Sequence, residues 1–510
     1  MFIHCHLPSS RIISSMVFPL WLPFENEWMT FFALLLVILI LIFLSDLFLN
    51  KNLLSADSCR RLVHLQIGLL IASSPMFFSS NIQPASLSII FIILNTFFHK
   101  KKYFNGIHSQ KRITYGTTYF PIAYLVLILA FWNYHEFIIM SLSILAISDP
   151  FAAHVGENTV SPKPFTVWND KKTIKGTLAF FICTFVILYA ESQILFNYTN
   201  IYLIFFSIFV SIGAFLAEIT SSKGSDNLSI PIVSFLFMVG FIEIFDHHAD
   251  LSLQLKHFSK IATILFMVLV FYFSYKTKAL SLSGIFGAFI MGVIIVTLGS
   301  NTYLIPIAIF FILSSILSKI LKNKSFCRTK GSKRDVIQVY ANGGVGLFIC
   351  ILDYFYPNPV YNYVFISSIA SAMSDTWGTE FGKLSRQKPI SITSWKTIEH
   401  GLSGGITRIG TIGALLGSSI MGLVTSLMFD ADITIIYAVI FIGFFGAIFD
   451  SVLGDTLQAK FKNQSGDILE NPSKDYFLSS GIKFVNNDLV NLLTTLITPI
   501  LMFLYLAFTK

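Results

Sequence analysis

The stretch FFALLLVILILIFLSDLFL, residues 31–49, contains one charged residue in nineteen. As an α-helix it would rise about 28 Å, close to the thickness of the hydrocarbon core of a bilayer. Fifteen further apolar runs of comparable character follow it, at residues 63–79, 84–98, 118–132, 135–148, 177–195, 201–219, 230–246, 259–274, 281–298, 303–320, 338–355, 360–374, 409–428, 433–450 and 488–508. The sequence therefore predicts an all-α, polytopic membrane protein with about sixteen transmembrane helices.

Bulk composition supports this class and excludes others. Of 510 residues, 54% are hydrophobic and 12% are charged, which is too apolar for a soluble globular protein. The net charge of +8 does not indicate nucleic-acid binding, because no basic run alternates with aromatic residues on a polar surface. The five cysteines form no C-x-x-C pair, which argues against a disulfide framework or a zinc site.

Lysine and arginine are distributed unevenly among the loops. With sixteen spans, all strongly basic loops fall on one side of the membrane, and the other loops are nearly free of positive charge apart from Lys256. This asymmetry follows the positive-inside rule, so we predict that the basic loops are cytoplasmic and that both termini lie outside. The predicted location is the cell membrane.

A polar segment, FDHHADLSLQLKHFSK at 245–260, separates two series of eight apolar runs. We therefore predict two membrane domains joined by a short linker. An N-terminal extension precedes them, in which Met16 or Met29 is an alternative start. The four predicted parts are the extension, the first membrane domain, the linker and the second membrane domain: 1–30, 31–246, 247–258 and 259–510.

In the first domain, the side chains suited to chemistry lie at the predicted cytoplasmic ends of spans. Mg²⁺ prefers hard oxygen ligands shared with substrate phosphates, and three carboxylates are available: Asp149, Glu218 and Asp226. In WNDKKTIKGT at 168–177, Lys171 and Lys172 offer charge for a polyphosphate. Turns at Gly156 and Gly176 would admit backbone N–H groups to it. Taken alone, the two lysines are better explained by topology and contact with lipid headgroups.

In the second domain, the stretch IASAMSDTWGTEFGK at 369–383 ends an apolar run with Asp375 and Glu380. Carboxylates beside bilayer-length segments are costly and normally mark a site or an ion pathway. The alternative is a helix end that leaves the membrane, where either acid is harmless. Further acids recur at predicted cytoplasmic ends of later spans: Asp450, Asp455 and Asp488.

A glycine-rich loop, WKTIEHGLSGGITRIG, follows at 395–410. Its glycines would bring backbone donors to a phosphate and its cations would balance the charge; they are Gly401, Gly404 and Gly405, with Lys396 and Arg408. A site for a polyphosphate and Mg²⁺ accounts for both the acids and this loop. A cation-coupled transporter accounts for the acids alone, and would carry them near mid-span rather than at one face.

Residues 58–245 resemble the membrane-bound CTP-dependent isoprenoid alcohol kinases, typified by dolichol kinase and phytol kinase, which are related to the phosphatidate cytidylyltransferases. The motifs that carry the resemblance occur in the family's order: RRLVH (60–64), DPFAAHVG (149–156), KKTIKGT (171–177) and AEITSSKGSDNLSIP (217–231). Three residues depart from the family pattern, since Pro150 replaces Ala, Thr173 replaces Ser and Lys175 replaces Glu.

Residues 260–505 resemble the integral-membrane family that includes the plant phytyl-phosphate kinase. The motifs here are long and nearly unbroken: the Gln-x-x-Ala-Asn-Gly segment (338–343), SDTWGTEFG (374–382), GLSGGITRIG (401–410), DSVLGDTLQ (450–458) and NNDLVN (486–491).

Together the resemblances imply a bifunctional membrane lipid kinase. The first domain would transfer the γ-phosphoryl group of CTP to an isoprenoid alcohol such as phytol, and the second would convert the monophosphate to the diphosphate with CTP or another nucleoside triphosphate. The implied partners are the alcohol, its monophosphate, the nucleotide and membrane lipid, with Mg²⁺ as cofactor and without nucleic acid.

The implied roles can be assigned residue by residue. The metal ligands are Asp149, Glu218, Asp226, Asp375, Glu380, Asp450 and Asp455. Catalytic roles fall to Asp149, Lys171, Lys172, Asp226, Asp375, Lys396 and Arg408, with Arg334 balancing anionic substrate. Nucleotide contacts fall to Gly156, Thr173, Gly176, Thr177, Asn227, Asn342, Gly401, Gly404 and Gly405. Two alternatives stay open, which are a cytidylyltransferase that forms a CDP-lipid and a polytopic transporter or scaffold.

Overall fold

The structure is a computed structural model that describes residues 16–101, 115–245, 251–321, 333–472 and 475–509. The chain divides between Phe258 and Ser259 into two compact units, which we call the N-unit and the C-unit. Part of the predicted linker lies outside the described residues, and its remainder begins the helix Leu251–Lys276.

The N-unit is helical apart from one small hairpin. Its α-helices are Glu27–Asn50, Ala56–Ala72, Ile82–Lys101, Gly116–Phe131, His135–Ser143, Asp149–Glu157, Ile174–Leu195, Asn200–Ile219 and Asp226–Ile244. A 3-10 turn at Ser74–Met76 and a π-helical turn at Ile144–Ser148 interrupt them. The hairpin pairs the antiparallel strands Pro164–Thr166 and Lys171–Thr173. It precedes the helix Ile174–Leu195, and the Thr173 hydroxyl caps that helix by accepting the Gly176 N–H at 3.2 Å.

Helices also dominate the C-unit, which carries two small sheets. The helices are Leu251–Lys276, which begins just before the division, Leu282–Leu298, Asn301–Leu321, Val336–Phe355, Val360–Gly382, Arg408–Met428, Ile433–Thr456 and Asn487–Thr509. One sheet pairs Ile390–Ser391 with Gly405–Ile406, and the other places Lys460–Lys462 between Ile468–Leu469 and Phe477–Ser480. The prediction of a polytopic helical membrane protein is therefore right in its coarse form, with short strands added in the loops.

The predicted number of membrane crossings is not supported. Each of the sixteen apolar runs overlaps a helix, but in the described part of the chain only eleven helices are long and apolar enough to span a bilayer. Three more are apolar but shorter: Ile82–Phe97, Gly116–Phe131 and Leu282–Leu298. The other two, Ala56–Ala72 and Val360–Gly382, carry polar side chains among their apolar ones.

The helix Val360–Gly382 shows why such a segment is polar. It packs against five other helices of the C-unit, and four of its serines are fully buried: Ser367, Ser368, Ser371 and Ser374. The Ser374 hydroxyl donates to the Ala414 carbonyl at 2.8 Å. A Cβ added at Gly443 would lie 2.7 Å from Ala370 Cβ, so that glycine permits close approach of the helices. The segment is polar because it lies inside the bundle, where small and hydroxylated residues allow tight packing.

Among the described helices of the N-unit that are long enough to span a bilayer, Asp226–Ile244 is the most enclosed. Its phenylalanines, with one from Asn200–Ile219, are almost completely buried: Phe206, Phe235, Phe237 and Phe241. The rings of Phe206 and Phe241 stack edge to face with centroids 5.4 Å apart. This packing joins the start of Asn200–Ile219 to the end of Asp226–Ile244, and the opposite ends of the same two helices carry the site described below.

Candidate functional site

Three carboxylates of the N-unit converge at one point. One oxygen from each of Asp149, Glu218 and Asp226 lies within 4.8 Å of the others. Asp149 begins the short helix after the π-helical turn, Glu218 lies in the last turn of Asn200–Ile219, and Asp226 begins the following helix. We call this group the carboxylate cluster. The structure thus brings together the three acids that the sequence singled out.

Lys172 lies in the carboxylate cluster. Its ammonium group forms an ion pair with Glu218 Oε1 and donates to the Glu218 carbonyl oxygen at 2.7 Å. Burial would lower the pKa of Lys172, but attraction by Glu218 and the neighbouring acids outweighs burial and raises it. Adjacent strand residues point to opposite faces, so Lys171 is exposed and lies away from the cluster.

The donor set of the carboxylate cluster fits a divalent cation. Three carboxylates against one ammonium group leave a formal charge of −2. Glu218 is only 8% exposed. Lys172 pairs with its Oε1, but Oε2 has no hydrogen-bond partner among the described residues, and a buried polar oxygen left this way is costly unless a cation lies beside it. Hard oxygen ligands of this kind suit Mg²⁺.

A mainly apolar cavity of about 120 Å³ adjoins the carboxylate cluster. Three polar residues of its wall connect the two: Arg60, His64 and Asn227. His64 Nε2 lies 3.9 Å from Asp149 Oδ2 and 3.1 Å from the Leu145 carbonyl oxygen. The Asn227 N–H donates to Asp226 Oδ1 at 3.0 Å. An apolar molecule with one polar end would therefore present that end to the cluster.

The predicted glycine turns of the N-unit are absent at both positions, because Gly156 and Gly176 lie within helices. A Cβ on Gly176 would lie 3.2 Å from Gly156 Cα and 3.0 Å from the Ala152 carbonyl oxygen. These glycines allow the helix that carries Asp149 to pack closely on Ile174–Leu195. The hydroxyl of Thr173 caps the helix Ile174–Leu195, and Thr177 is buried in its first turn. These two residues therefore support the helix that packs beside Asp149.

In the C-unit, the acid that meets Asp375 is Asp450, to which it is hydrogen-bonded. The Thr494 hydroxyl donates to Asp450 Oδ1 at 3.3 Å. With its amide NH₂ turned toward Asp450, Asn491 donates to the same oxygen at 3.2 Å. Two carboxylates in such contact need a shared proton or a cation between them. Sequence reasoning did not single out Thr494, although it lies one helical turn after Asn491 of the NNDLVN motif.

Glu380 lies apart from this pair. Its Oε1 accepts from Lys383 Nζ at 2.9 Å, and its charge acts on Arg334. Burial lowers the pKa of Arg334, and Glu380 partly offsets that effect. The predicted shared metal site for Asp375 and Glu380 is therefore not supported by the geometry, because Glu380 already has a cationic partner one turn along its own helix.

Asp455 holds the loop after Ile390–Ser391. Its two oxygens accept from the hydroxyls of Ser391 and Thr393, from the Thr393 N–H at 3.3 Å and from Lys460 Nζ at 3.1 Å. Three of these hydrogen bonds share Oδ2, and Lys460 alone contacts Oδ1, so the carboxylate binds the loop chiefly through one oxygen. Asp455 was predicted as a metal ligand, but in the structure it holds the loop that contains Ser391 and Thr393.

In the predicted glycine-rich loop, backbone conformation and close packing explain why three positions are glycine. Gly401 and Gly404 have φ of +91° and +86°, the left-handed region that favours glycine. Gly404 also packs on Asp455, since an added Cβ would lie 2.7 Å from Asp455 Cα. Gly405 lies in the short strand Gly405–Ile406, where a Cβ would lie 2.8 Å from Pro389 Cβ.

The predicted cations and the amide of the C-unit take separate places. Lys396 and Arg408 are exposed, and Arg408 begins the helix Arg408–Met428. Asn342 donates through Nδ2 to the Gln338 carbonyl oxygen at 2.8 Å within its own helix. The Ser403 N–H donates to Glu470, a residue that sequence reasoning missed because it lies in a loop without a recognisable motif.

We expect Gly404→Ala to destabilise the C-unit by about 1–3 kcal/mol, because it combines a positive φ with overlap at Asp455. Thermal unfolding in detergent measures this effect. Gly466→Ala is a suitable control, since Gly466 also has a positive φ, +96°, but faces open space beyond the end of Lys462. Equal melting temperatures for the two variants would contradict the packing role of Gly404.

Comparison with known proteins gives one family match and several relatives. Residues 265–499 match the model of a family described as integral membrane protein DUF92. An uncharacterized membrane protein of Methanocaldococcus jannaschii is 33% identical over 230 residues, covering 44% of this chain and 85% of the relative. Protein PGR of Arabidopsis thaliana is 28% identical over 275 residues, covering 48% and 95%. The chloroplastic protein VTE6 of Arabidopsis thaliana is 22% identical over 223 residues, covering 42% and 61%. No solved structure matches the chain.

Proposed function

Because this chain belongs, through residues 265–499, to the integral membrane family DUF92, we propose that it is a membrane-embedded lipid kinase with two activities. The N-unit transfers the γ-phosphoryl group of CTP to the hydroxyl of an isoprenoid alcohol. The C-unit then phosphorylates the monophosphate to the diphosphate. The resemblance of the sequence to the isoprenoid alcohol kinases and to the family of the plant phytyl-phosphate kinase supports this order.

The observation that carries the proposal is the carboxylate cluster beside an apolar cavity. Phosphoryl transfer requires mainly that the reactants are positioned and that phosphate charge is neutralised. Mg²⁺, held by Asp149, Glu218 and Asp226, would supply that neutralisation on the nucleotide. The cavity would hold the apolar part of the alcohol with its hydroxyl toward His64 and Asn227.

Within this arrangement Asp149 is the carboxylate placed to take the proton of the alcohol. It lies 3.9 Å from His64, which lines the cavity. The alcohol oxygen forms the new bond to the γ-phosphorus, its proton passes to Asp149, and the bond to the β-phosphate oxygen breaks so that CDP leaves. Lys172 holds Glu218 in place.

In the C-unit the proposed centre is the pair Asp375 and Asp450, with Asn491 and Thr494 beside it. This group offers hard oxygen atoms from three helices, Val360–Gly382, Ile433–Thr456 and Asn487–Thr509, as a cation–nucleotide site requires. The exposed Lys396 and Arg408, with Arg334, would balance the charge of the monophosphate and the nucleotide: three cations for two anionic substrates.

The test is incubation of the full-length protein, purified into lipid nanodiscs, with phytol, farnesol or geranylgeraniol and either CTP or ATP. The proposal predicts a monophosphate followed by a diphosphate, both labelled from the γ-phosphate of the donor and both lost on chelation of Mg²⁺. Label from the α-phosphate of CTP in the lipid product would instead identify a cytidylyltransferase. Absence of any product with every pair would reject a kinase and favour a transporter or scaffold.

We also expect both sites to face the cytoplasm, where nucleotide is available. Single cysteines at Lys171 and Lys396, in a variant without the native cysteines, should react with an impermeant thiol reagent only after the membrane is opened. A cysteine at Ser259 should react from outside intact cells. Labelling of the first two positions in intact cells would contradict this orientation.

A further inference from the structure

We propose that Tyr124 forms the floor of the N-unit cavity and sets the chain length of the alcohol that the N-unit accepts. This inference rests on the proposed function, since it assumes that the cavity receives the apolar part of the substrate. It adds a specificity residue that the proposed chemistry does not use. Tyr124 is 2% exposed, and its hydroxyl forms a 2.6 Å hydrogen bond with the buried hydroxyl of Ser74.

The cavity runs along its helices from the carboxylate cluster into the bundle. On Ala56–Ala72 its wall extends from Arg60 to Ile71, a rise of about 16 Å along a helix. On Gly116–Phe131 the wall extends from Gly116 to Tyr124, a rise of about 12 Å. The end near Arg60 lies beside the carboxylates, so the other end receives the tail.

The wall stops at Tyr124. The next inward residues of the same helix, Leu127 and Ile128, are fully buried but do not line the cavity. On the opposing side the helix ends at Ala72, and the following turn brings Ser74 against the Tyr124 hydroxyl. The aromatic ring held by this hydrogen bond therefore bounds this end of the cavity.

The volume indicates which part of the substrate fits. A cavity of about 120 Å³ is close to an engineered apolar cavity of about 150 Å³ that binds benzene. The wild-type cavity therefore accommodates about one isoprene unit next to the hydroxyl, and a short alcohol fits better than a long one. Removing the Tyr124 ring would extend the same channel inward.

The test measures retention of tritiated geraniol (C10), farnesol (C15) and geranylgeraniol (C20) by the full-length protein in nanodiscs without nucleotide. The wild type should retain the C10 alcohol best. Tyr124→Ala should raise the ratio of C20 to C10 retention by about tenfold, because additional methylene groups become buried. Leu127→Ala is the matched control, since it removes a buried side chain one turn further along, outside the cavity wall.

The outcomes separate this inference from the proposed function. If Tyr124→Ala does not yield a monodisperse protein, Ile71→Ala enlarges the same end of the cavity and should shift the ratio in the same direction by less. An unchanged ratio in both variants, an equal shift in Leu127→Ala, or no retention by the wild type would overturn the inference. A shifted ratio without phosphorylation of any alcohol would uphold Tyr124 and reject the kinase activity.

Discussion

Replacement of Asp226 by asparagine should reduce alcohol phosphorylation by at least about a hundredfold and leave phosphorylation of the monophosphate intact. The substitution keeps the size of the side chain and an oxygen that can accept the Asn227 N–H. It removes one of the three negative charges of the carboxylate cluster, which includes Glu218 and Asp149. With the Lys172 ammonium group counted, the formal charge of the cluster falls from −2 to −1, so it would hold a divalent cation less tightly. The C-unit is unchanged.

The measurement is a product ratio. The variant is supplied once with the alcohol and once with the chemically synthesised monophosphate, and mono- and diphosphates are quantified. Asp149→Asn should behave in the same way. Asp46→Asn is the matched control, because Asp46 lies on another helix of the N-unit and accepts only from Asn50 in the described contacts. If both activities fall together in a protein that remains folded, the model of two separate sites is wrong.

The second large effect is expected at Asp375. Asp375→Asn should abolish diphosphate formation, again by at least about a hundredfold, with normal expression and normal monophosphate production. The physical reason is the contact with Asp450: on the proposed function the two carboxylates would hold a cation, which one carboxylate and an amide would hold poorly. A helix end without function predicts the opposite, since loss of a charge near the bilayer is harmless or slightly stabilising.

Two comparisons sharpen this experiment. Asp432→Asn is the matched control, because Asp432 is exposed and its side chain makes no capping hydrogen bond at the helix it precedes. Glu380→Gln should reduce diphosphate formation far less than Asp375→Asn, since Glu380 pairs with Lys383 rather than with Asp450. A yield of diphosphate like that of the wild type from Asp375→Asn would reject the proposed site of the C-unit.

Much of the fold was predictable because a membrane helix can be recognised from its own run of apolar residues. A run of apolar residues near bilayer length must be helical in lipid, where every backbone group needs a partner within the segment. All sixteen runs accordingly overlap helices, although the run at 63–79 continues beyond the end of Ala56–Ala72. Their number as crossings was not predictable in the same way, because Val360–Gly382 owes its polar residues to burial among other helices. Hydropathy reports the residues of a helix and not its surroundings.

The same distinction between local sequence and tertiary packing applies to the candidate sites. The sequence by itself determined which residues could act, because carboxylates beside apolar runs are costly and because Asp149, Glu218 and Asp226 stand in motifs. Only the tertiary structure decided their partners. In the structure Asp375 contacts Asp450, and Asp455 accepts hydrogen bonds from the loop residue Thr393. Partners of this kind are set by close packing of distant helices through small residues, such as Gly443 on Ala370, and a local pattern carries no record of which surfaces meet.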